Sequence, residues 1–201
     1  MSKDVHNARP FAAWPDVNGW SPGAVHPLAA DGASSDTRLR LEAARDLPPQ
    51  LRDVFERHSA FVFRSLRYLG FRDPAIDEAF ERVFVLAHRH IQATGELPGR
   101  DWLFAASKRI AREQSTGLAA PAFEPAPGVD RGALAFGHAL LGVLSEEQRE
   151  VFWLYEVEDL PVREIARALR RPERSIRSSL LGARQRVVAE VERIAAGTHD
   201  E

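Results

Sequence analysis

The fold is decided by the stretch from Leu160 to Arg186, which reads LPVREIARALRRPERSIRSSLLGARQR. Its apolar residues recur at steps of three and four on both sides of Arg170-Arg171-Pro172, which indicates two amphipathic helices joined by a tight turn. The apolar stripe of the second helix consists of Ile176, Leu180, Ala183, Val187, Val191 and Ile194. Two helices in this arrangement form a helix-turn-helix, a unit that lays its second helix in the major groove of DNA.

The second helix is also rich in arginine. Six arginines and a single acid, Glu173, lie between Arg170 and Arg186, although the whole chain has a formal net charge of −2. The face opposite the apolar stripe contains Arg174, Arg177, Ser178, Leu181 and Gln185. A charged stripe is often only a solvated helix face. This charged stripe lies on a helix that follows another helix and a tight turn. We therefore favour contact of its arginines with DNA phosphates and guanines.

Two residues on this helix oppose a simple DNA-reading interpretation. Gly182 lies inside the helix and costs about 1 kcal/mol relative to alanine. Leu181 places an apolar group on the face that would meet the groove. It fits either the methyl group of a thymine or a protein partner.

Composition excludes several classes of protein. The chain contains no cysteine, which rules out disulfides and thiolate metal sites. It has no run of eighteen apolar residues, so we expect no membrane span. The N-terminus lacks a charged-then-apolar signal pattern, and we therefore predict a cytoplasmic protein.

Residues 51–113 show three further amphipathic patterns. The first helix begins near Leu51 and ends at Gly70. In the second, we expect Asp73 to be the N-cap and Pro74 the first helical residue. We expect Asp101 to cap the third helix. Three consecutive amphipathic helices predict a small bundle.

Two segments rich in proline and glycine flank this bundle. Residues 1–46 lack a persistent period and predict a mostly disordered extension, although Trp14 and Trp20 could dock on the folded body or bind a partner. Residues 116–132 predict a flexible linker between two bodies that can reorient. We therefore predict an all-α fold with two small helical domains, at 47–115 and 133–196, and a short tail at 197–201. No strand candidate is present.

The chain offers little for catalysis. His88 and His90 are two residues apart and point to different sides of a helix, which makes them a poor metal pair. No sequence motif of a metalloprotease, a phosphate-binding loop or a nucleophile elbow occurs. We therefore expect no enzyme activity, no catalytic residue, no cofactor and no metal. A cluster of one aromatic and three cations could bind unpaired bases, although its aromatic residue also fits a core position; it consists of Trp102, Lys108, Arg109 and Arg112.

Three segments carry a resemblance to a known family. They are IDEAFERVFVLAHRH (76–90), WLFAASKRIARE (102–113) and LSEEQREVFWLYEVEDLPVREIARAL (144–169). Over about 51–194 the chain resembles sigma-70 family RNA polymerase sigma factors of the small, two-domain extracytoplasmic-function group. The three segments are similar to the family's region-two helix, its promoter-melting helix and its region four. Divergence from the family pattern is concentrated at 78–82 and 179–182.

The resemblance implies partners and residues for each step of transcription initiation. It implies binding to core RNA polymerase through Glu78, Glu81, Arg82 and Phe84. It implies recognition and opening of a proximal promoter element around Trp102, Lys108, Arg109 and Arg112. It implies recognition of a distal promoter element by the last helix and its turn, at Arg171, Arg174, Ser175, Arg177, Ser178 and Arg184. An anti-sigma factor is a further candidate partner.

Two other functions remain open at this point. The altered residues at 78–82 suit a sigma-like DNA-binding regulator that has lost polymerase engagement. Leu181 and Gly182 on the groove face suit a protein-interaction adaptor built on the same fold.

Overall fold

The computed structural model describes residues 47–114 and 140–197. The predicted N-terminal extension (1–46), the predicted linker (116–132) and residues 115, 133–139 and 198–201 lie outside this part of the chain. All regular elements within the described ranges are helical, and no strand occurs among them. The predicted all-α fold is confirmed.

The N-terminal helices α1 (Pro49–Tyr68), α2 (Ala75–Thr94) and α3 (Arg100–Glu113) pack pairwise into a bundle. Each turns one apolar stripe inward, as the three- and four-residue spacing predicts. The bundle's core is aromatic at its centre, where the ring of Phe55 lies 4.9 Å from that of Phe84. Burial of these stripes stabilises the three helices together, because most of the stability of a helix in a protein comes from packing of its amphipathic face.

Two helix starts differ from the prediction. The residue before α2 is Pro74 rather than Asp73, and the residue before α3 is Gly99 rather than Asp101; neither helix has a side-chain cap. Both aspartates bind arginines instead. Asp73 accepts from Arg67 at 3.4 Å, and Asp101 accepts from Arg167 at 2.6 Å. Each carboxylate therefore pairs with an arginine instead of accepting hydrogen bonds from the backbone N–H groups at the start of its helix.

The C-terminal helices are α4 (Glu146–Phe152), α5 (Val162–Leu169) and α6 (Glu173–Gly197). Residues 140–142 are also helical. The capping box predicted at the start of α4 is confirmed: Ser145 and Gln148 exchange hydrogen bonds of 3.2 Å. A π-helical turn, Trp153–Val157, continues α4, and the sequence pattern did not indicate it.

The turn between α5 and α6 is closed by Arg170 in the left-handed conformation, with φ 53° and ψ 46°. The N–H of Arg171 then reaches back to the carbonyl of Ala166 at 2.9 Å. This is the hydrogen bonding that ends many helices, where glycine is the usual residue because side chains disfavour positive φ. The predicted helix-turn-helix is thus formed with a strained arginine in its turn.

Gly182 has a structural reason within α6. A Cβ atom at this position would lie 2.9 Å from the amide nitrogen of Gln148, whose side chain is held in the capping box of α4. The glycine therefore leaves room for the Gln148 side chain in its capping-box position. Helix α6 is continuous through this glycine despite the low helix propensity of glycine.

The N-terminal and C-terminal helices pack against each other. Helix α3 contacts α5, the first helix of the helix-turn-helix, and one apolar core extends from the bundle into the C-terminal helices. A second, smaller core joins Leu140 and Leu144 to α6. None of the described helices is both long and apolar enough to cross a membrane.

Candidate nucleic-acid interface

The outer face of α6 presents a mixed basic, polar and apolar surface. Arg174, Arg177 and Ser178 are exposed on one side of the helix, and Leu181 on the same side is 60% exposed. Arg177 forms a 2.7 Å ion pair with Glu173 one turn earlier. Such a pair on a helix surface contributes only about 0.3–0.5 kcal/mol. The guanidinium can therefore exchange this partner for a phosphate or a base at little cost.

Three other residues predicted to meet the distal element point toward the protein. Arg171 donates to Ser175 at 2.8 Å and forms an ion pair with Glu147 of α4. Arg184 binds Glu156 at 2.7 Å. The structure thus divides the predicted distal set into an outward group, Arg174, Arg177 and Ser178, and an inward group, Arg171, Ser175 and Arg184. The inward group connects α6 to α4 and its π-helical turn.

The inward position of Arg184 is reinforced by an aromatic ring. Its guanidinium carbon lies 5.2 Å from the centre of the Tyr155 ring, within the range of a cation–π contact. The positive charge of Arg184 is therefore stabilised by both the Glu156 carboxylate and the face of the Tyr155 ring. The arrangement fixes the orientation of α6 relative to the preceding π-helical turn.

The predicted proximal set lies on α3, where its members have different surroundings. Trp102 is half-buried, and its ring centre lies 4.8 Å from that of His90 in α2. Arg109 is exposed and binds Glu113 at 2.9 Å, and Arg112 is also exposed. Trp102 is thus a rim residue rather than a fully buried core residue. A partly exposed aromatic ring on the same helix as exposed cations is suited to stacking on an unpaired base while the cations meet the backbone.

Lys108 is the exception in this set, because it faces the C-terminal helices. Its ammonium group lies 2.5 Å from the carboxylate of Glu150 in α4. A cleft of about 580 Å³ opens beside this pair, lined by basic and acidic groups of α3, α4 and the α5–α6 turn, among them Arg112, Glu146, Glu147 and Arg171. Lys108 therefore binds protein in this structure at the place where the prediction puts DNA.

The residues predicted to bind core polymerase lie on α2. Glu78 and Glu81 are exposed on its outer face, whereas Arg82 bridges to Glu113 of α3 at 2.7 Å. Phe84 is buried in the bundle core. Val85 lies one turn beyond Glu81 on the outer face and is 43% exposed, a position that sequence reasoning missed. The face available to a partner accordingly combines these two acids with one apolar group, and Arg89, one turn beyond Val85, is also exposed on it.

The contact between the two groups of helices contains a buried carboxylate. Glu158 is 4% exposed, and Arg64 of α1 donates two hydrogen bonds of 2.7 Å to its two oxygens. Arg100 of α3 donates to the Glu158 backbone carbonyl at 2.7 Å. The carboxylate holds the pKa of the Arg64 guanidinium above its ordinary value, chiefly through these hydrogen bonds. We call Arg64, Arg100 and Glu158 the clasp.

Beside the clasp, two aromatic rings stack across the same contact. Tyr68 and Trp153 have ring centres 4.4 Å apart and nearly parallel planes, and Phe104 lies 5.9 Å from Trp153. Burial raises the pKa of the Tyr68 hydroxyl. Sequence reasoning missed the clasp and the stack because each joins residues far apart in the chain. In the sequence, Glu158 is only a glutamate that follows an aromatic-rich segment, and this pattern by itself does not indicate a buried ion pair.

Comparison with known proteins finds a family match for the C-terminal helices and solved structures that resemble the overall fold. Residues 138–187 match the family model described as Sigma-70, region 4. The chain is similar to CnrH in its complex with the cytosolic domain of CnrY, with 22% identity and a TM-score of 0.56 over 80% of this chain and 99% of that one. None of the curated proteins matches the sequence significantly.

A second solved structure gives the same result. It is the sigma factor RpoE in complex with the anti-sigma factor NepR from Bartonella quintana, with 20% identity and a TM-score of 0.50 over 69% of this chain and 96% of that one. Both likenesses concern the fold. The family-model match confirms the predicted resemblance to sigma-70 region 4 over residues 138–187, and the two likenesses confirm the predicted fold.

Proposed function

We propose that this chain, a divergent member of the sigma-70 family of the extracytoplasmic-function type, is an alternative sigma factor that directs transcription initiation. In this proposal it acts in the cytoplasm, binds core RNA polymerase and recognises a two-part promoter. The match of residues 138–187 to sigma-70 region 4 carries the proposal, because that segment contains the helix-turn-helix and most of α6. The chain itself supplies no catalytic group in this scheme.

The outer face of α6 supports recognition of the distal element. Arg174, Arg177 and Ser178 project from one side of a helix that follows a tight turn. Guanidinium groups can donate to the two acceptors of guanine or to phosphates, and a serine hydroxyl can contact either. We assign base reading to these three residues. We assign Arg171, Ser175 and Arg184 the role of holding α6 in position.

Helix α3 and the outer face of α2 support the other two steps. Trp102, Arg109 and Arg112 combine an aromatic edge with cations at the surface, which suits the proximal element once its bases unpair. Glu78, Glu81 and Val85 form an acidic surface with an apolar group, which suits a basic, partly apolar site on core polymerase. Phe84 would support this surface from the core.

An anti-sigma factor is a further proposed partner. The sigma factor RpoE, which shares this fold, is recorded in complex with the anti-sigma factor NepR. Its counterpart for this chain would bind the same fold and prevent access to polymerase.

Binding to purified core polymerase tests the proposal. The wild-type chain should bind core at submicromolar concentration, and the resulting holoenzyme should select a two-part duplex from a random library. Arg177→Ala should weaken binding to the selected duplex about tenfold, in keeping with about 1–3 kcal/mol for a good guanidinium–base contact. Arg193→Ala is the matched control, because Arg193 is also on α6 and also pairs within the helix, with Glu190.

The same experiment separates the two other functions. A regulator without polymerase engagement would bind the duplex without core polymerase and would not bind core. An adaptor would bind neither core nor duplex. Failure to bind core at micromolar concentration would reject the sigma-factor proposal.

A further inference from the structure

We propose that two copies of this chain associate in antiparallel fashion through the outer face of α6, and that this dimer covers the DNA-reading residues. The surface concerned follows a regular spacing of four and three residues along the helix, and all of its members are exposed. We call it the outer stripe; it consists of Arg174, Ser178, Leu181, Gln185, Val188 and Glu192. Self-association is independent of the proposed function, whereas its competition with DNA rests on that function.

Contact with DNA accounts for only the first half of the outer stripe. Recognition helices read base edges with their N-terminal residues. Val188 lies about 21 Å along the helix axis from Arg174, at about 1.5 Å per residue. Val188 and Glu192 are therefore remote from the residues that would meet base edges, and the exposure of an apolar group at 188 has another cause.

Two apolar groups distinguish the outer stripe from a solvated helix face. Leu181 is 60% exposed and Val188 is 44% exposed, and the two lie seven residues apart on one side of α6. The other large apolar side chains exposed in the described part of the chain, Val85 and Leu97, do not share a helix. A seven-residue spacing keeps two side chains facing the same neighbouring helix. The stripe therefore fits a helical partner.

The charges at the two ends of the outer stripe favour a second copy as that partner. The stripe begins with Arg174, which is flanked by Arg177, and it ends with Glu192. An antiparallel copy brings Arg174 opposite Glu192 of the partner subunit at both ends of the contact, whereas a parallel copy brings like charges together. Antiparallel helix dipoles add to this preference. The stripe is thus complementary to itself in one direction only.

One register uses every position of the outer stripe. With Arg174 opposite Glu192 of the partner subunit, Ser178 lies opposite the partner's Val188. Leu181 then lies opposite the partner's Gln185, and each contact occurs twice about a two-fold axis. A shift of one copy by seven residues would separate Arg174 from the opposing glutamate, so the ion pairs select this register.

The contact is small, and this limits its strength. It joins one helix face of each copy with two apolar groups on each, which places it below the about 1,200 Å² that stable interfaces bury. We therefore expect a dissociation constant of about 10–100 µM. Because the dimer covers Arg174, Ser178 and Leu181, a second copy and the distal element compete for the same residues.

Sedimentation equilibrium of the full chain tests self-association without DNA or polymerase. Over about 5–300 µM, which brackets the expected constant, the wild type should change from monomer to dimer. Arg174→Glu and Glu192→Arg should each weaken association about fivefold or more, because each places like charges opposite one another twice. The double variant should restore association to within about twofold of the wild type, since it exchanges the two charges.

Two further variants separate the dimer contact from general effects on α6. Val188→Ser should weaken association about fivefold or more by removing apolar area from both copies. It should leave binding of the holoenzyme to the selected duplex unchanged, because Val188 lies outside the DNA-reading residues. Arg193→Ala is the matched control for association, since Arg193 is exposed outside the outer stripe and pairs with Glu190 of its own helix.

A disulfide tests the register and the competition together, in a chain that has no cysteine of its own. An equimolar mixture of Ser178→Cys and Val188→Cys should form the mixed 178–188 disulfide on mild oxidation, in preference to either symmetrical one. The linked dimer should fail to bind the selected duplex with core polymerase, and reduction should restore the binding. If neither core nor duplex is bound after reduction, the proposed function fails, while sedimentation still decides whether the chain self-associates.

Several results would overturn the inference. These are a wild type that stays monomeric over the whole range, or a dimer that none of the three stripe substitutions weakens. In a monomer, shielded emission from a dye on Val188→Cys would assign the stripe to another segment of the same chain, and solvent-exposed emission would leave it to a different protein. Preference for a symmetrical disulfide would exclude the antiparallel register, and duplex binding by the linked dimer would exclude the competition.

Discussion

The guanidinium of Arg64 holds the carboxylate of Glu158, 94 residues further along the chain, through two hydrogen bonds of 2.7 Å each. The pair joins the bundle that carries the proposed melting helix to the unit that carries the proposed recognition helix. A buried carboxylate that loses its guanidinium is strongly destabilised. We therefore expect the contact between the two halves of the molecule to be sensitive to mutation of this pair.

A double-mutant cycle should measure that sensitivity. We expect Arg64→Ala and Glu158→Gln to be coupled by about 1–3 kcal/mol in the free energy of unfolding, at the lower side because the Arg64 side chain is 40% exposed. Asp53 and Arg57, an exposed pair within α1, should be coupled by only about 0.3–0.5 kcal/mol. Urea denaturation of the four variants in each cycle gives both values. Equal coupling energies in the two cycles would show that burial of Glu158 does not strengthen its ion pair with Arg64.

A glycine in the turn should stabilise the helix-turn-helix. Arg170 has φ 53°, a conformation that disfavours any side chain by about 1–2 kcal/mol. Arg170→Gly should therefore raise the free energy of unfolding by about 1 kcal/mol, while Arg170→Ala should not, since alanine retains the strain. Thermal unfolding of both variants distinguishes them. If alanine stabilised the protein as much as glycine, relief of charge rather than of backbone strain would be the cause.

Stability should fall on mild acidification because of His58 in α1. Burial, and then the charges of Arg100 and Arg57, hold its pKa below the ordinary 6.5, against the opposing effect of Asp53. The unfolded chain thus takes up a proton at this residue more readily than the folded one, and stability rises with pH. The effect is absent well above pH 6.5 and grows as the pH falls below 6.5 toward the folded pKa.

Replacement of His58 isolates its contribution. His58→Gln should flatten the pH dependence of the unfolding free energy between about pH 5 and 7, while carboxylates dominate at lower pH. Urea denaturation at several pH values measures it. An unchanged slope in the variant would mean that His58 titrates alike in the folded and unfolded chains.

Much of this structure follows from local signals in the sequence. The apolar period predicted the helices, and Ser145 followed by Gln148 predicted the start of α4, because both depend on neighbours in the chain. The helix starts at Asp73 and Asp101 were predicted wrongly. Local capping rules could not foresee that Arg67 and Arg167 would compete for these carboxylates.

The candidate site was less predictable. The outward position of Arg174 and Arg177 follows from the apolar stripe of α6, which fixes the opposite face. The inward positions of Arg171 and Arg184 depend instead on Glu147 and on Glu156, which approach α6 only after the chain folds. Periodicity identifies the face of a helix and leaves its partners undetermined. The clasp lay beyond the sequence for the same reason.

The exposed Leu181 side chain leads us to predict that the affinity for the distal element depends on a thymine methyl group. Its side chain is 60% exposed beside the basic residues of α6, and apolar side chains in the major groove contact the thymine C5-methyl. In the distal element selected with holoenzyme, replacing thymine by uracil should weaken binding of the wild type about threefold or more. Leu181→Ala should bind the two duplexes about equally. Binding by wild type that ignores the substitution would favour a protein partner for Leu181.

Transcription reconstituted from purified core polymerase and this chain is the most direct test of the central proposal. With a linear template containing the selected two-part promoter, the account predicts a run-off transcript that requires both the chain and core. The transcript should decrease when either promoter element is scrambled and should persist with Arg193→Ala. A transcript independent of the chain, or none from a holoenzyme of demonstrated composition, would contradict the account.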